Sequence, residues 1–340
     1  MACNETPFND TLTAVGCLRV GHAEVVGGTS GCTVILPEGG AVAGVDIRGG
    51  APGTCGTESL HPVHLVDRVH GVVLTGGSAF GLAAVDGVRR YLKEHGVGFA
   101  TEYGVVPTVA GAVIFDLGIN KDGAPPNAEL GLEACRKAHT GPVLQGSVGA
   151  GCGATVGKLQ GLACATKGGL GSFFLETPRG VRVGAVVVVN PFGDVVDPHG
   201  GRILAGCRAG PDSHQFLGTA QAMARQERLR GFSAADNTVL AVVATNARLT
   251  KTELTKVAQM AHDGLARVIV PCHTQVDGDT VFALSTEERD SVDVSIVGML
   301  AAQVVEKAIV RAVLSAQPRG GLPAARDLLH DPSTIEHLVQ

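Results

Sequence analysis

The sequence predicts a protein of mixed strands and helices in which some strands are sandwiched between layers, and three observations carry that expectation. The runs at 184–189 and 239–244 are apolar at successive positions, so both faces of each strand must be covered. Longer segments at 81–94, 127–139, 251–267 and 293–315 read as helices. Glycine is the third: 48 of 340 residues with no Gly-X-Y period, which fits small-residue sheets and tight turns packed closely.

Strands are expected at 32–36, 41–47, 71–75, 183–190, 238–245 and 280–285, where β-branched and small apolar residues run between Gly-rich turns. The third helix has a start signal: Thr250 can cap it, and Glu253 three residues later completes a capping box. The fourth puts Val297, Leu300, Ala301, Val304, Ala308 and Ala312 on one stripe. The segment from about 210 to 236 is more polar and reads as a helix followed by a loop, immediately before the strand that starts at Thr238. No internal repeat interrupts the chain.

Composition excludes several classes. A net charge of −5 with no basic cluster argues against nucleic acid; the densest basic stretch, Arg225 to Arg230, reads as a solvated helix face. Nine cysteines are scattered, odd in number and never spaced C-x-x-C, which fits reduced thiols and a cytoplasmic location. The opening residues MACNETPFND show no signal peptide, and no stretch reaches ~18 uninterrupted apolar residues, so no membrane span is expected.

Three motifs fall short of the chemistry they suggest. Residues 149–158 (GAGCGATVGK) lack the P-loop pattern, because Cys152 stands where a glycine is required and Leu159 where the Mg²⁺-binding hydroxyl belongs. GGSAFG at 76–81 has Phe80 where a nucleophile elbow needs glycine. It reads instead as a tight turn feeding the helix at 81, its backbone N–H groups free to bind a ligand. His273, Asp277 and Asp279 could suggest a metal cluster, but their spacing is nonspecific, and no metal or cofactor is expected.

The informative junction is Asn237-Thr238, where a loop gives way to a threonine at the head of an apolar strand. A hydroxyl there can attack its own preceding carbonyl, and hydrolysis of the resulting ester would free the Thr238 amine. With an intrinsic pKa of roughly 7.7–8.0, that amine can serve as base for its own hydroxyl. The junction alone is also ordinary β-propensity.

The blocks VDIRGGAPGT (45–54), VVLTGGSAFGL (72–82), VGAGCGATVGK (148–158), KGGLGS (167–172), VVVVNPFGDV (186–195), DNTVLAVVATNA (236–247) and HTQVDGDTVFALST (273–286) change this reading. In that order, and across residues 10–315, the chain resembles the DmpA-like L-aminopeptidases/D-amidases, relatives of the nylon-oligomer endo-hydrolases. The resemblance implies an α+β fold, a four-layer αββα sandwich of two stacked mixed sheets with helices outside. It implies a single catalytic domain over 1–340, self-cleaved into 1–237 and 238–340, and a homo-oligomer, often a tetramer. Thr238 falls on the nucleophile and Asn190 on an oxyanion donor. Lys158 falls on a lysine of the nylon-hydrolase branch, and Asp277 and Asp279 on its acidic pair, which could hydrogen-bond the Thr238 amine and hydroxyl. Gly76 and Gly77 are candidates for further oxyanion N–H groups.

One departure stands out: Phe80 occupies a position where the family carries tyrosine, so a phenol hydroxyl is missing near the oxyanion or substrate. The implied activity is hydrolysis of amides of N-terminal amino acids, short peptides or linear amino-acid oligomers, with no cofactor. The alternatives are an ornithine-acetyltransferase-like acyl transferase on the same fold, a nucleotide-binding protein using the loop at 149–158 and Lys158, and a catalytically silent scaffold.

Overall fold

The computed structural model describes residues 8–121, 123–227 and 237–329. In chain order the strands of its two main sheets are β1 (Leu18–Glu24), β2 (Gly31–Pro37), β3 (Ala41–Ile47), β4 (Thr54–Cys55), β5 (Arg68–Val69), β6 (Gly71–Thr75), β7 (Val109–Val113), β8 (Gly169–Glu176), β9 (Arg182–Asn190), β10 (Thr238–Ala247) and β11 (Thr280–Arg289). The first sheet has the order β1-β2-β6-β7-β4, antiparallel except for the β6/β7 pair. The second has the order β8-β9-β10-β11-β3-β5, antiparallel except for β10/β11. The main helices are α1 (Ala84–Glu94), α2 (Ala128–Arg136), α3 (Lys251–Val268) and α4 (Val294–Ser315).

Side-chain alternation explains why β9 and β10 are apolar throughout. Val186, Val188, Leu240, Val242 and Ala244 point into the core between the two sheets, where they meet residues such as Ile35 and Leu74 of the first sheet. Val187, Val189, Val239, Ala241 and Val243 point the other way, against α3 and α4. A third core lies under α1 and α2, joining Val34 and Val73 to Val88 and Leu132. Helices, sheet, sheet and helices therefore make four layers around three cores, the αββα sandwich that the resemblance implies.

The expected strands and helices form within a few residues of their expected bounds. The capping box is present: Thr250 Oγ1 accepts from Glu253 N at 3.3 Å, and Glu253 Oε2 accepts from Thr250 N at 2.8 Å. The predicted stripe of α4 is buried. The first helix differs. A short turn of helix, Ser78–Gly81, follows the sharp left-handed turn at Gly77 (φ +83°) and Ser78 (φ +53°), and α1 begins only at Ala84.

Strands β1, β7 and β8 had no clear sequence signal. β8 shows why. It carries Gly169 and Gly171 beneath α4, and a Cβ at Gly171 would lie 2.0 Å from the Ala308 carbonyl oxygen. The helix backbone sits directly on the strand, so small size replaces the usual apolar alternation.

Within the polar segment after 210, Thr219–Met223 is helical. The loop expected at 231–236, the end of the Arg225–Arg230 stretch and most of the opening MACNETPFND lie outside the described residues. Among the described residues no helix is long and apolar enough to cross a membrane.

Candidate active site

Topology brings three chain segments to one end of the second sheet. β9 and β10 are antiparallel, and their register sets Asn190, the last residue of β9, opposite Thr238, the first of β10. β10 and β11 are parallel, so both begin at that same end. The loop entering β11 therefore runs beside the Asn237-Thr238 junction: Asn237 pairs with Asp277, and Gly278 N donates to Asn237 O at 2.9 Å. Residues 48–51 cross this loop, with Arg48 N donating to Asp279 O and Ala51 N to Asp277 O. The approach is tight enough that a Cβ at Gly278 would lie 2.7 Å from Thr238 Oγ1 and 2.7 Å from Ala51 O.

Thr238 is 4% exposed, and its hydroxyl donates to the carbonyl oxygen of Asn237, the residue across the expected cut. It does not donate to either carboxylate. Asp279 Oδ1 instead accepts from Val239 N at 2.7 Å, while Oδ2 accepts from His273 N at 3.1 Å and pairs with His273 Nδ1 at 2.7 Å. Asp277 Oδ1 accepts from Phe192 N at 3.0 Å, and Oδ2 accepts from Thr274 N at 3.1 Å and Thr274 Oγ1 at 2.5 Å. Burial, and then the charge of Asp279, raise the Asp277 pKa to about 6 against the hydrogen bonds from Thr274 and Phe192. Asp279 thus grips the backbone just after the junction and Asp277 that of Phe192 and Thr274, rather than the threonine hydroxyl.

Lys158 reads from sequence alone as a surface lysine, but it is only 8% exposed. Its ammonium donates to Thr155 O (2.9 Å), Thr155 Oγ1 (3.2 Å), Asn190 O (3.0 Å) and Asn190 Oδ1 (3.0 Å). Asn190 Oδ1 also accepts from Thr155 N at 2.9 Å, which fixes the amide orientation and turns Nδ2 towards Phe115 O at 3.3 Å. The ammonium is directed into the protein, away from any open cradle for phosphate.

The turn at 76–80 corrects the expectation of free N–H groups. Gly76 N donates to Gly31 O at 2.9 Å, and Gly77 N donates to Asp116 Oδ1 at 2.7 Å, so both amides are engaged. Asp116 was not legible as a site residue. It is buried, and burial pushes its carboxyl above the ordinary range. Phe80 stands 68% exposed on the following turn of helix. That turn lies next to the site, since Ser78 N donates to Ile114 O and the adjacent Phe115 carbonyl is the one Asn190 meets.

Two further residues escaped the sequence reading. Lys167 is fully buried, its ammonium donates to Cys152 O and Ala154 O at 2.8 and 2.5 Å, and burial lowers its pKa to about 8. Its only sequence signal was its place at the head of KGGLGS. His273 was considered only as a metal ligand, and it proves to be the partner of Asp279. Among the described residues no group of three or more His, Cys, Asp or Glu side chains is arranged to hold a metal ion.

The αββα sandwich, with a hydroxyl residue heading a central strand, fits the class of hydrolases that act on amide and peptide bonds. Within that class, residues 10–325 match the family model described as Peptidase family S58, and the chain belongs to this family. An uncharacterized aminopeptidase of Mycobacterium tuberculosis is 40% identical over 347 residues, covering 94% of this chain and 98% of that protein. A 6-aminohexanoate-oligomer endohydrolase of Kocuria sp. is 33% identical over 309 residues, covering 87% and 83%. Among solved structures, a Burkholderia sp. beta-aminopeptidase aligns with a TM-score of 0.69 at 21% identity over 100% of this chain and 97% of its own. The L-aminopeptidase D-Ala-esterase/amidase of Ochrobactrum anthropi aligns with a TM-score of 0.68 at 20% identity, covering 92% and 89%. At these identities the structural likeness speaks for the shared fold.

Proposed function

We propose that the chain cleaves itself between Asn237 and Thr238, and that the freed Thr238 hydrolyses amide bonds through an acyl-enzyme. The observation that carries this reading is the buried Thr238 hydroxyl lying against the Asn237 carbonyl oxygen, opposite Asn190 and beside the loop of Asp277 and Asp279. In the first stage Thr238 Oγ attacks the Asn237 carbonyl carbon, the peptide nitrogen leaves, and water hydrolyses the ester. The products are chains 1–237 and 238–340.

In the second stage the Thr238 amine takes the hydroxyl proton as Oγ attacks a substrate amide. The Asn190 amide donates to the developing oxyanion. Lys158 against Asn190 Oδ1 draws electron density from that amide and strengthens Nδ2 as a donor. The proton passes to the departing amine, and water releases the acyl group. Asp279 holds the Val239 N–H beside the nucleophile, and Asp277 holds Phe192 and Thr274 behind it.

The substrates are amides of N-terminal amino acids, short peptides or linear amino-acid oligomers, in keeping with the names of the aminopeptidase and 6-aminohexanoate-oligomer endohydrolase relatives. The described cysteines are all free thiols, which supports a cytoplasmic setting. Exposed Phe99, Tyr103 and Val106 support a homo-oligomer, a tetramer of two-chain protomers in this proposal.

The test is hydrolysis of amino-acid p-nitroanilides and linear 6-aminohexanoate oligomers by the wild type and by Thr238→Ala and Thr238→Ser. The Ala variant should lose about 10³-fold or more, and the Ser variant should retain activity. An Ala variant as active as the wild type would remove Thr238 from the chemistry.

A further inference from the structure

The loop that feeds β11 holds a second layer of titratable groups behind the carboxylates. His273 adopts φ +55°, a left-handed conformation unfavourable for a residue with a side chain, and two hydrogen bonds to one oxygen lock it there. Both its backbone N–H and its Nδ1 reach Asp279 Oδ2, while Asp279 Oδ1 holds the Val239 N–H next to the nucleophile. A single carboxylate therefore bridges His273 and the backbone at Thr238. The short contact orients the imidazole with Nδ1–H on the carboxylate, and a charged ring would strengthen it.

We propose that His273 is a positioning residue of this site, an imidazolium that holds the Asp279 carboxylate against the head of β10 and sets the acid limb of the pH–activity profile. The inference rests on the reading of Thr238 as nucleophile.

The surroundings of His273 determine where its proton sits. On its own loop it faces Cys272 and Asp279. From α3, His262 packs edge-on against its ring, with centroids 4.8 Å apart and planes at 76°. From β3, Asp46 stands behind His262, its carbonyl 3.1 Å and its Oδ2 3.4 Å from His262 Nε2, and Arg48 Nε pairs with that same Oδ2 at 2.8 Å. On the β9 side Lys158 is directed to Asn190 and Thr155. Burial works against charge on His273, but the hydrogen bond and charge of Asp279, with help from Cys272, outweigh it and raise its pKa to about 10. Burial lowers that of His262 to about 4, so the two neighbouring rings take opposite protonation states. The loop thus keeps a cation on His273 beside Asp279.

The consequence has a definite sign. Activity requires the Thr238 amine to be neutral and the carboxylates to be ionised. Removing the His273 cation makes the Thr238 amine hold its proton to higher pH. The acid limb of kcat/KM should therefore move upward by about one pH unit in His273→Gln, so the variant loses about tenfold at pH 6 and about two- to threefold at pH 8.5.

Two measurements on the processed protein test this. In a long-range ¹H–¹⁵N spectrum of histidine-labelled wild type, the His273 resonances, identified by their loss in His273→Gln, should keep the imidazolium pattern through pH 8. They should titrate near the ordinary range in Asp279→Asn. The kcat/KM profile of His273→Gln should show the upward limb. A wild-type His273 that deprotonates below pH 7, or a variant limb that stays in place, overturns the proposal. A wild type that keeps the imidazolium but hydrolyses no amide counts against the proposed reaction and leaves the His273–Asp279 pairing supported by its own spectrum.

Discussion

Lys158 donates from one ammonium to both the backbone and side-chain oxygens of Asn190, so orientation of that amide and burial of that charge are one feature. The pairing separates two roles of Asn190 that an alanine would remove together. Asn190→Asp keeps an oxygen for Lys158 and for the Thr155 N–H, yet carries no amide hydrogen. We expect it to fold while lowering kcat by about 10²–10³, the cost of one aimed oxyanion donor. An unchanged kcat in steady-state amide hydrolysis would exclude Asn190 from the oxyanion. At this scale Thr238, Asn190, Lys158, Asp277 and Asp279 could be named from motifs, and the structure gathers them at one strand end. Their partners could not be named. Asp116 reaches Gly77 across 39 residues of chain, and Lys158 is buried by contacts 32 residues away. Motif spacing carries no information about such pairings, and so the Gly76 and Gly77 amides read from sequence as available.

Strands legible in the sequence were those whose β-branched runs fill two cores at once, such as Val186–Val189 and Val239–Val243. Those that escaped replace bulk with closeness. At Gly171 the carbonyl of Ala308 and the nitrogen of Ala312 lie where a Cβ would stand, at 2.0 and 2.6 Å. Gly171→Ala must therefore lift α4 from β8, and we expect a loss of about 2–3 kcal/mol in urea unfolding. Stability equal to the wild type would show that the helix does not need this seat. The glycine excess in the composition pointed to such contacts in general, but it could not say which glycine meets which helix.

Across the whole molecule, the proposed cut falls in the middle of a sheet rather than between domains. β10 is hydrogen-bonded on one side to β9 and on the other to β11, and its two faces fill two of the three cores. Chains 1–237 and 238–340 would remain one folded body, held by the same burial as the uncut chain. Cleavage would change only the chemistry at the head of β10, where a buried amide becomes an amine beside its own hydroxyl. Denaturing intact mass of the freshly purified protein tests this most directly. We predict two species, separated between Asn237 and Thr238, whose masses sum to the 34.6 kDa chain plus one water. A single 34.6 kDa species that persists through long incubation would contradict the assignment of Thr238 as an N-terminal nucleophile.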